Sequence, residues 1–256
     1  MSIVLLWIAT QIITESFPVS SSSHTKLLEL LLSWRPQVPS YFDDFLHIPT
    51  FFILAIFFSS RWYPLLRHAI RFRFMFFSVV GRTLLASMVT LFFYFFFHLI
   101  PLPHYFPMTI GLLITTGALF SLLWCTSRSY DLYTWHKAVV LGVVQGVALL
   151  PGISRLGITF VCARWLGMSP RHSAEASFAM QVPLLLAACA RGTISLVRYP
   201  YMYEVLNART SLVMIGSGII AYAGLYVFMH LARVHKVWLF AWYMVIPLMT
   251  WLIFVA

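Results

Sequence analysis

Charge is what this chain has least of. Only 9% of its 256 residues are Asp, Glu, Lys or Arg, and just seven are acidic, where a soluble domain carries about 25% charged residues. With 61% hydrophobic residues and a mean hydropathy of +0.88, no single core could hide the apolar surface, so a soluble globular domain is excluded. Cysteine is scarce too. Cys125, Cys162 and Cys189 are odd in number, form no CxxC and lie in or beside apolar runs. A disulfide framework and a cysteine metal site are therefore excluded, and the three are expected to be small buried hydrophobes. The first apolar stretch lacks a basic n-region and a small-residue cleavage site, so it is read as mature protein. No low-complexity linker or soluble domain interrupts the chain, which is read as one polytopic membrane domain, residues 1–256. The net charge of +10 comes with no basic motif in a soluble fold, which excludes nucleic acid as a partner. It is read instead as loop charge facing anionic lipid headgroups.

Long apolar runs are what the chain has in place of charge. A spanning helix needs about 20 mostly apolar residues, and six segments qualify: 45–60, 74–100, 108–125, 174–197, 211–233 and 237–255. Two more apolar stretches, 3–32 and 138–167, are broken in the middle by "SFPVSSSSH" and "LLPGISRLG". Broken backbone inside a bilayer is tolerated only where protein or a water-filled cavity covers the freed polar groups, so both are read as re-entrant helical hairpins. Laying Pro18 on Pro151, an offset of 133 residues, carries Ser21 onto Ser154 and brings Gln11 within one place of Gln145. The same offset carries the first three spans onto the last three. The expected fold is an all-α integral membrane protein, an inverted repeat of six transmembrane helices plus two re-entrant hairpins, with halves at 1–128 and 134–256.

The basic residues set the orientation. Arg61, Arg67, Arg71, Arg73, Arg128, Lys137, Arg164, Arg171, Arg233 and Lys236 fall on one side, against Arg35, Arg198 and Arg209 with Lys26 near them on the other. The first side is expected to be cytoplasmic. Both termini and the first hairpin's entry are then expected to lie outside.

The two breaks carry the chemistry. Pro18 ends one half-helix and the serines can cap the next, whose N-terminus presents unpaired N–H groups and the positive end of the dipole: an anion site. Ser21 and His24, three residues apart, share a helical face, and a hydroxyl beside an imidazole is a nucleophile–base pair. Glu15, on the other arm, can hold a metal, orient the histidine or relay a proton. Serines bonding back to carbonyls, with a satisfied interior histidine, are the bland alternative. An ionisable group at mid-membrane, however, costs about 2.5–3.5 kcal/mol on insertion scales, and here two occur together. The second break supplies Arg155, whose fork suits phosphate oxygens, and Gly152 and Gly157, which allow close backbone approach. A structural salt bridge from Arg155 to Glu15 remains the alternative. If the hairpins meet, one pocket holds Glu15, Ser21, His24, Ser154 and Arg155, a set suited to phosphoryl transfer. Ser20, Ser22, Ser154 and Gly152 are its expected phosphate-binding groups. His47 and Thr50 could face the pocket, and Glu175 and Gln181 could line the second half. Arg82 is expected to snorkel, and His68, His98, His104, His136, His172, His230 and His235 lie near segment ends.

These residues carry a resemblance. "TESFPVSSSSH" resembles EGxTEFxPVSSxGH, and "GVVQGVALLPGISRLGIT" resembles GxxQxxAxxPGxSRSGxT, the two signatures of the bacterial undecaprenyl-diphosphate phosphatase family, also called bacitracin resistance proteins. "FDDFLHIPTFFILAIFF" looks like that family's next segment and "SGIIAYAGLYVFMHLARVHKVWLFAWYMVI" like its last. The resemblance implies a multi-pass inner-membrane hydrolase. It would remove the terminal phosphate of undecaprenyl diphosphate, recycle the carrier for peptidoglycan synthesis and confer bacitracin resistance, with its pocket open to the outer face. It further implies Glu15 as the second motif glutamate, Ser21 as nucleophile, His24 as proton carrier and Arg155 as phosphate ligand. A divalent cation, Mg2+ or Ca2+, is implied too, held by Glu15 and Gln11.

Among the chain's departures from the signatures, Gln11 replaces the first motif glutamate, Ile12 the glycine after it, Leu156 the serine of SRSG, and Ser23 the glycine before the histidine. A glutamine can ligate a metal through its carbonyl but brings no charge. Two readings of the mechanism stay open, attack by Ser21 or by water that His24 activates. The expected partners are a polyprenyl diphosphate lipid and membrane lipids, with a homodimer left open. The alternative function is a polyprenyl-phosphate flippase that keeps the pocket without the hydrolysis.

Overall fold

A computed structural model of the chain describes residues 2–33, 41–67, 73–100, 106–125, 133–198 and 207–255. The loop residues Arg35, Arg71 and Arg128, with His68 and His104, fall outside these. All regular structure among the described residues is helical. The first half holds α1 (Ser2–Thr14), α2 (Ser21–Leu31), α3 (Tyr41–Arg67), α4 (Arg73–Leu99) and α5 (Met108–Ser121), the last continued by a 3-10 turn, Leu122–Trp124. The second holds α6 (Trp135–Val147), α7 (Arg155–Trp165), α8 (Pro170–Arg198), α9 (Ala208–Arg233) and α10 (Leu239–Val255).

Four helices are long and apolar enough to cross a membrane, over Phe42–Tyr63, Ser78–Leu99, Pro170–Arg198 and Ala208–Arg233. The expected spans at 108–125 and 237–255 are shorter. α5 has 14 residues because Pro107 blocks its start and its end tightens into the 3-10 turn. α10 has 17 residues, a rise of about 26 Å, and follows His235, whose φ of +58 ends α9. The outer faces are oily: Phe92 is 65% exposed, Leu99 82% and Ile253 77%. Apolar surface on this scale suits hydrocarbon and not water, and the chain is a membrane protein.

The two halves repeat element by element. α1 and α6 have 13 residues each, and α2 and α7 have 11 each. The register, however, is 134 rather than 133. Ser20 caps α2 and Ser154 caps α7, with matching dihedrals of −81°, 106° and −78°, 113°. Beyond the C-caps Leu32 and Leu166, Ser33 and Gly167 both have positive φ. The same step carries Gln11 onto Gln145, His47 onto Gln181 and Pro49 onto Pro183. Aligning the tip prolines misleads by one place, because Pro18 stands two residues before its cap, Ser20, and Pro151 three before Ser154, with Gly152 at φ +83 between them. Ser21 therefore corresponds to Arg155, not to Ser154.

Packing follows the same relation, by exchange between halves. α1 packs on α9 as α6 packs on α4, and α2 packs on α10 as α7 packs on α5. α3 and α8, the central pair, pack on each other, and close approach is possible because a Cβ at Gly192 would stand 2.6 Å from the Phe45 nitrogen. Val19 and Leu156, one from each hairpin tip, join a buried cluster with Phe58, Phe160, Phe178 and Phe228. That cluster fixes both tips against the long helices.

Candidate active site

The site is built where the two hairpin tips touch. α1 ends at Thr14, and the chain tightens through Ser16 N–H to the Ile13 carbonyl and Phe17 N–H to the Thr14 carbonyl, 3.2 and 3.1 Å. Pro18 cannot continue the helix. Ser20 then opens α2, its Oγ accepting from Ser23 N–H at 3.3 Å, which leaves Ser21 as the first residue of the new half-helix. In the second tip Ser154 opens α7, its Oγ accepting from Gly157 N–H at 3.1 Å, and Arg155 comes first. Thr115 Oγ1 braces this tip, accepting from Ser154 N–H at 3.0 Å and donating to the Gly152 carbonyl at 3.2 Å. The tips meet so closely that a Cβ at Gly157 would lie 3.0 Å from the Pro18 carbonyl oxygen. Two helix N-termini thus face one space, with first-turn N–H groups that no helical carbonyl satisfies.

That space is a cavity of about 480 Å³. Gln11, Glu15, Ser20, Ser21, Ser22, Ser154 and Arg155 all line it. Glu15 is the hub. Its Oε1 accepts from Arg155 Nη2 at 3.2 Å and lies 3.4 Å from His47 Nδ1. Its Oε2 accepts from Ser21 Oγ at 3.4 Å. The His47 side chain is 12% exposed, and its Nδ1 has no hydrogen-bond partner among the described residues. The salt bridge between Arg155 and Glu15 is present, but a guanidinium has five N–H donors, so the remaining ones can bind phosphate. Lys26, Glu29 and Asp43 line the far end of the cavity, where Trp7 Nε1–H donates to Glu29 Oε1 at 3.1 Å.

Two expected members are not brought to the cavity. His24 shares a helical face with Ser21, yet its ring folds back so that Nδ1–H donates to the Ser20 carbonyl at 2.6 Å, while Nε2 accepts from Tyr243 Oη–H at 2.9 Å. Ser21 is bonded to Glu15 rather than to His24. Gly152 is buried against α5, where a Cβ would stand 2.5 Å from the Met108 carbonyl; its role there is to turn the tip. Of the weaker candidates, His47 and Gln181 line the cavity. Thr50 is buried outside it. Glu175 pairs with Arg61 and Arg171 instead. Arg82 bonds the Tyr133 carbonyl and Ser78. The three cysteines form no disulfide and are partly buried. Tyr243 and Thr115 were not foreseen. Gln181 could have been singled out with His47, since each stands two residues before a proline, 134 apart. Tyr243 meets His24 across 219 residues, and no local pattern signals that.

The donor set does not suit a divalent cation. Glu15 already serves a guanidinium, a hydroxyl and a histidine, and its neighbour in the cavity is the uncharged Gln11. Among the described residues no group of three His, Cys, Asp or Glu side chains converges on one point. Hard cations are held by several oxygen ligands, mostly carboxylates, and at the hairpin tips the engaged Glu15 stands beside an amide, with Glu29 and Asp43 further along the cavity.

Residues 5–248 match the family described as "Bacitracin resistance protein BacA". The undecaprenyl-diphosphatase of Campylobacter curvus (strain 525.92) is 32% identical over 208 residues, covering 75% of each chain. That of Campylobacter concisus (strain 13826) is 31% identical over 216 residues, 77% of this chain and 78% of the relative. That of Geobacter metallireducens is 29% identical over 257 residues, 92% and 91% of the two chains.

Proposed function

The chain belongs to the bacitracin resistance protein BacA family, and on that footing we propose that it is an undecaprenyl-diphosphatase. It hydrolyses the terminal phosphate of undecaprenyl diphosphate to undecaprenyl phosphate and inorganic phosphate, which returns the lipid carrier to peptidoglycan synthesis and underlies bacitracin resistance. The observation that carries the reading is the meeting of Ser21, Glu15 and Arg155 in one cavity between two helix N-termini.

In the proposed reaction the diphosphate lies between the half-helices. Arg155 and the first-turn N–H groups of α2 and α7 bind the terminal phosphoryl oxygens and stabilise the charge that builds on them. Ser21 Oγ attacks the terminal phosphorus as its proton passes to Glu15 Oε2. The bridging P–O bond breaks, and the lipid leaves as the monophosphate. Water then attacks the phosphoserine, the P–Oγ bond breaks, inorganic phosphate leaves with the protons of the water, and the proton held by Glu15 returns to Ser21 Oγ. No step runs through a metal ion. His24 stands at the cavity's edge, and a turn about its side-chain torsions away from Tyr243 would let it exchange protons with the leaving groups.

The membrane setting is proposed with the activity. The two halves are inverted about the cavity, α5 and α10 complete six crossings with the four long helices, and the hairpins do not cross. The cavity opens to the outer face of a bacterial inner membrane. The test uses the purified full chain with a short-chain polyprenyl diphosphate, with and without magnesium, and measures phosphate release. Release that saturates with substrate is expected. Tight binding without release would overturn the enzyme reading.

A further inference from the structure

α3 and α9 run side by side, and the groove between them changes character along its length. Over Phe45 to Ile56 on α3 and Ser211 to Tyr222 on α9 it is a trough of about 700 Å³ walled almost wholly by hydrocarbon. Farther along the same two helices lies a separate pocket of about 520 Å³ that includes Ser60, Arg61, His230 and Arg233. Phe57 joins the two parts, its ring centroid 5.5 Å from Tyr222 in the trough and 4.8 Å from Tyr226 in the pocket. No carboxylate lines the pocket. Arg61 pairs with Glu175, but that carboxylate also accepts from Arg171 at 3.0 Å, so the surroundings stay positive. Arg233 and His230 have no ion-pair partner among the described residues.

The whole has the outline of a lipid: a hydrocarbon channel ending in a cationic cup. We propose that this groove binds a phosphate-headed lipid, its chain along the α3–α9 trough and its phosphate between Arg61, His230 and Arg233. A basic pocket between spanning helices at the charged face of a membrane suits an anionic headgroup, and guanidinium groups suit phosphate oxygens. Arg61 lies 14 residues beyond His47 on one helix, about 20 Å along its axis, so this phosphate site is separate from the cavity at the hairpin tips. The inference goes beyond the hydrolase reading and does not depend on it.

Native mass spectrometry on the full chain tests it, with phosphatidylcholine, phosphatidylglycerol, a short polyprenyl phosphate and inorganic phosphate as probes. Wild type is expected to retain phosphatidylglycerol or polyprenyl phosphate at least tenfold better than phosphatidylcholine. The relative affinities of those two anionic lipids say which source fills the groove. The double variant His230→Gln, Arg233→Gln spares the Arg61–Glu175 pair and is expected to lose that preference. Gly218→Leu fills the trough, where a Cβ would meet Ile53 at an ordinary 3.4 Å; it is expected to weaken lipid retention at least fivefold without altering phosphate release. Equal retention of phosphatidylcholine by wild type, an undiminished preference in the double variant, or inorganic phosphate binding as tightly as the lipids would each overturn the proposal.

Discussion

A carboxylate with three partners keeps its place when one of them turns to another task. Once substrate phosphate draws on Arg155, Glu15 is left with Ser21 and His47, and His47 is the one that can go on holding it. His47→Leu is expected to lower kcat about tenfold to a hundredfold with KM within twofold. His47→Asn, which keeps an N–H donor near Nδ1, should recover most of the loss, as phosphate-release kinetics would show; equal losses in both would mean His47 merely packs. Ser21→Ala and Arg155→Ala are each expected to cost at least about a hundredfold in kcat, the usual effect of removing a nucleophile or a transition-state donor. Gln11→Glu sets a second carboxylate beside Glu15, and calorimetry should then detect magnesium binding tighter than the wild type's. At this scale residue types were legible in the sequence and partners were not. "ESFPVSSSSH" announced a polar site in an apolar chain, and Glu15, Ser21 and Arg155 do line one cavity. The direction of His24 was hidden, because helical spacing fixes which face a side chain leaves from and not whether its ring folds back on its own turn. The capture of its Nε2 by Tyr243 depends on the other half of the molecule.

The hairpin tips are where element geometry controls the chemistry. Gly152 is the residue that lets the second tip turn at φ +83 while α5 presses against it. Gly152→Ala would bring a Cβ within 2.5 Å of the Met108 carbonyl, and a left-handed conformation alone costs a non-glycine residue about 1–2 kcal/mol. Thermal unfolding in detergent is expected to fall by several degrees. Phosphate release should fall further than in a Gly216→Ala control, whose Cβ would meet nothing within 4 Å. The spacing from proline to cap explains why the internal repeat was visible in the sequence but off by one. Prolines are conspicuous markers, so the tips were aligned on them. The true register is carried by the caps Ser20 and Ser154 and by the helix ends at Ser33 and Gly167, and Pro151 stands one residue further from its cap than Pro18 does. α5 and α10 fall a little short of the apolar runs that contain them, since an apolar run gives the length available to a helix, and the 3-10 turn after Ser121 and the turn at His235 decide how much of it is used.

Over the whole molecule, the exchange of packing partners between halves makes strong demands on topology. If α2 and α7 are equivalent and the halves are inverted, the helix ends at Ser33 and Gly167 emerge toward opposite faces, because equivalent points under a two-fold axis in the membrane plane lie on opposite sides of it. The cationic end of the α3–α9 groove, with Arg61 and Arg233, then belongs to the same face as Gly167, where the positive-inside rule puts the cytoplasm. The cavity's far end, near Lys26, Glu29 and Asp43, belongs to the face of Ser33. Single cysteines can report this once Cys125, Cys162 and Cys189 are replaced by alanine. In intact cells an impermeant maleimide is expected to label Ser33→Cys at once and His235→Cys only after the membrane is permeabilised. Labelling of both from outside would break the inversion of the halves, and the reverse pattern would keep the inversion but turn the cavity toward the cytoplasm.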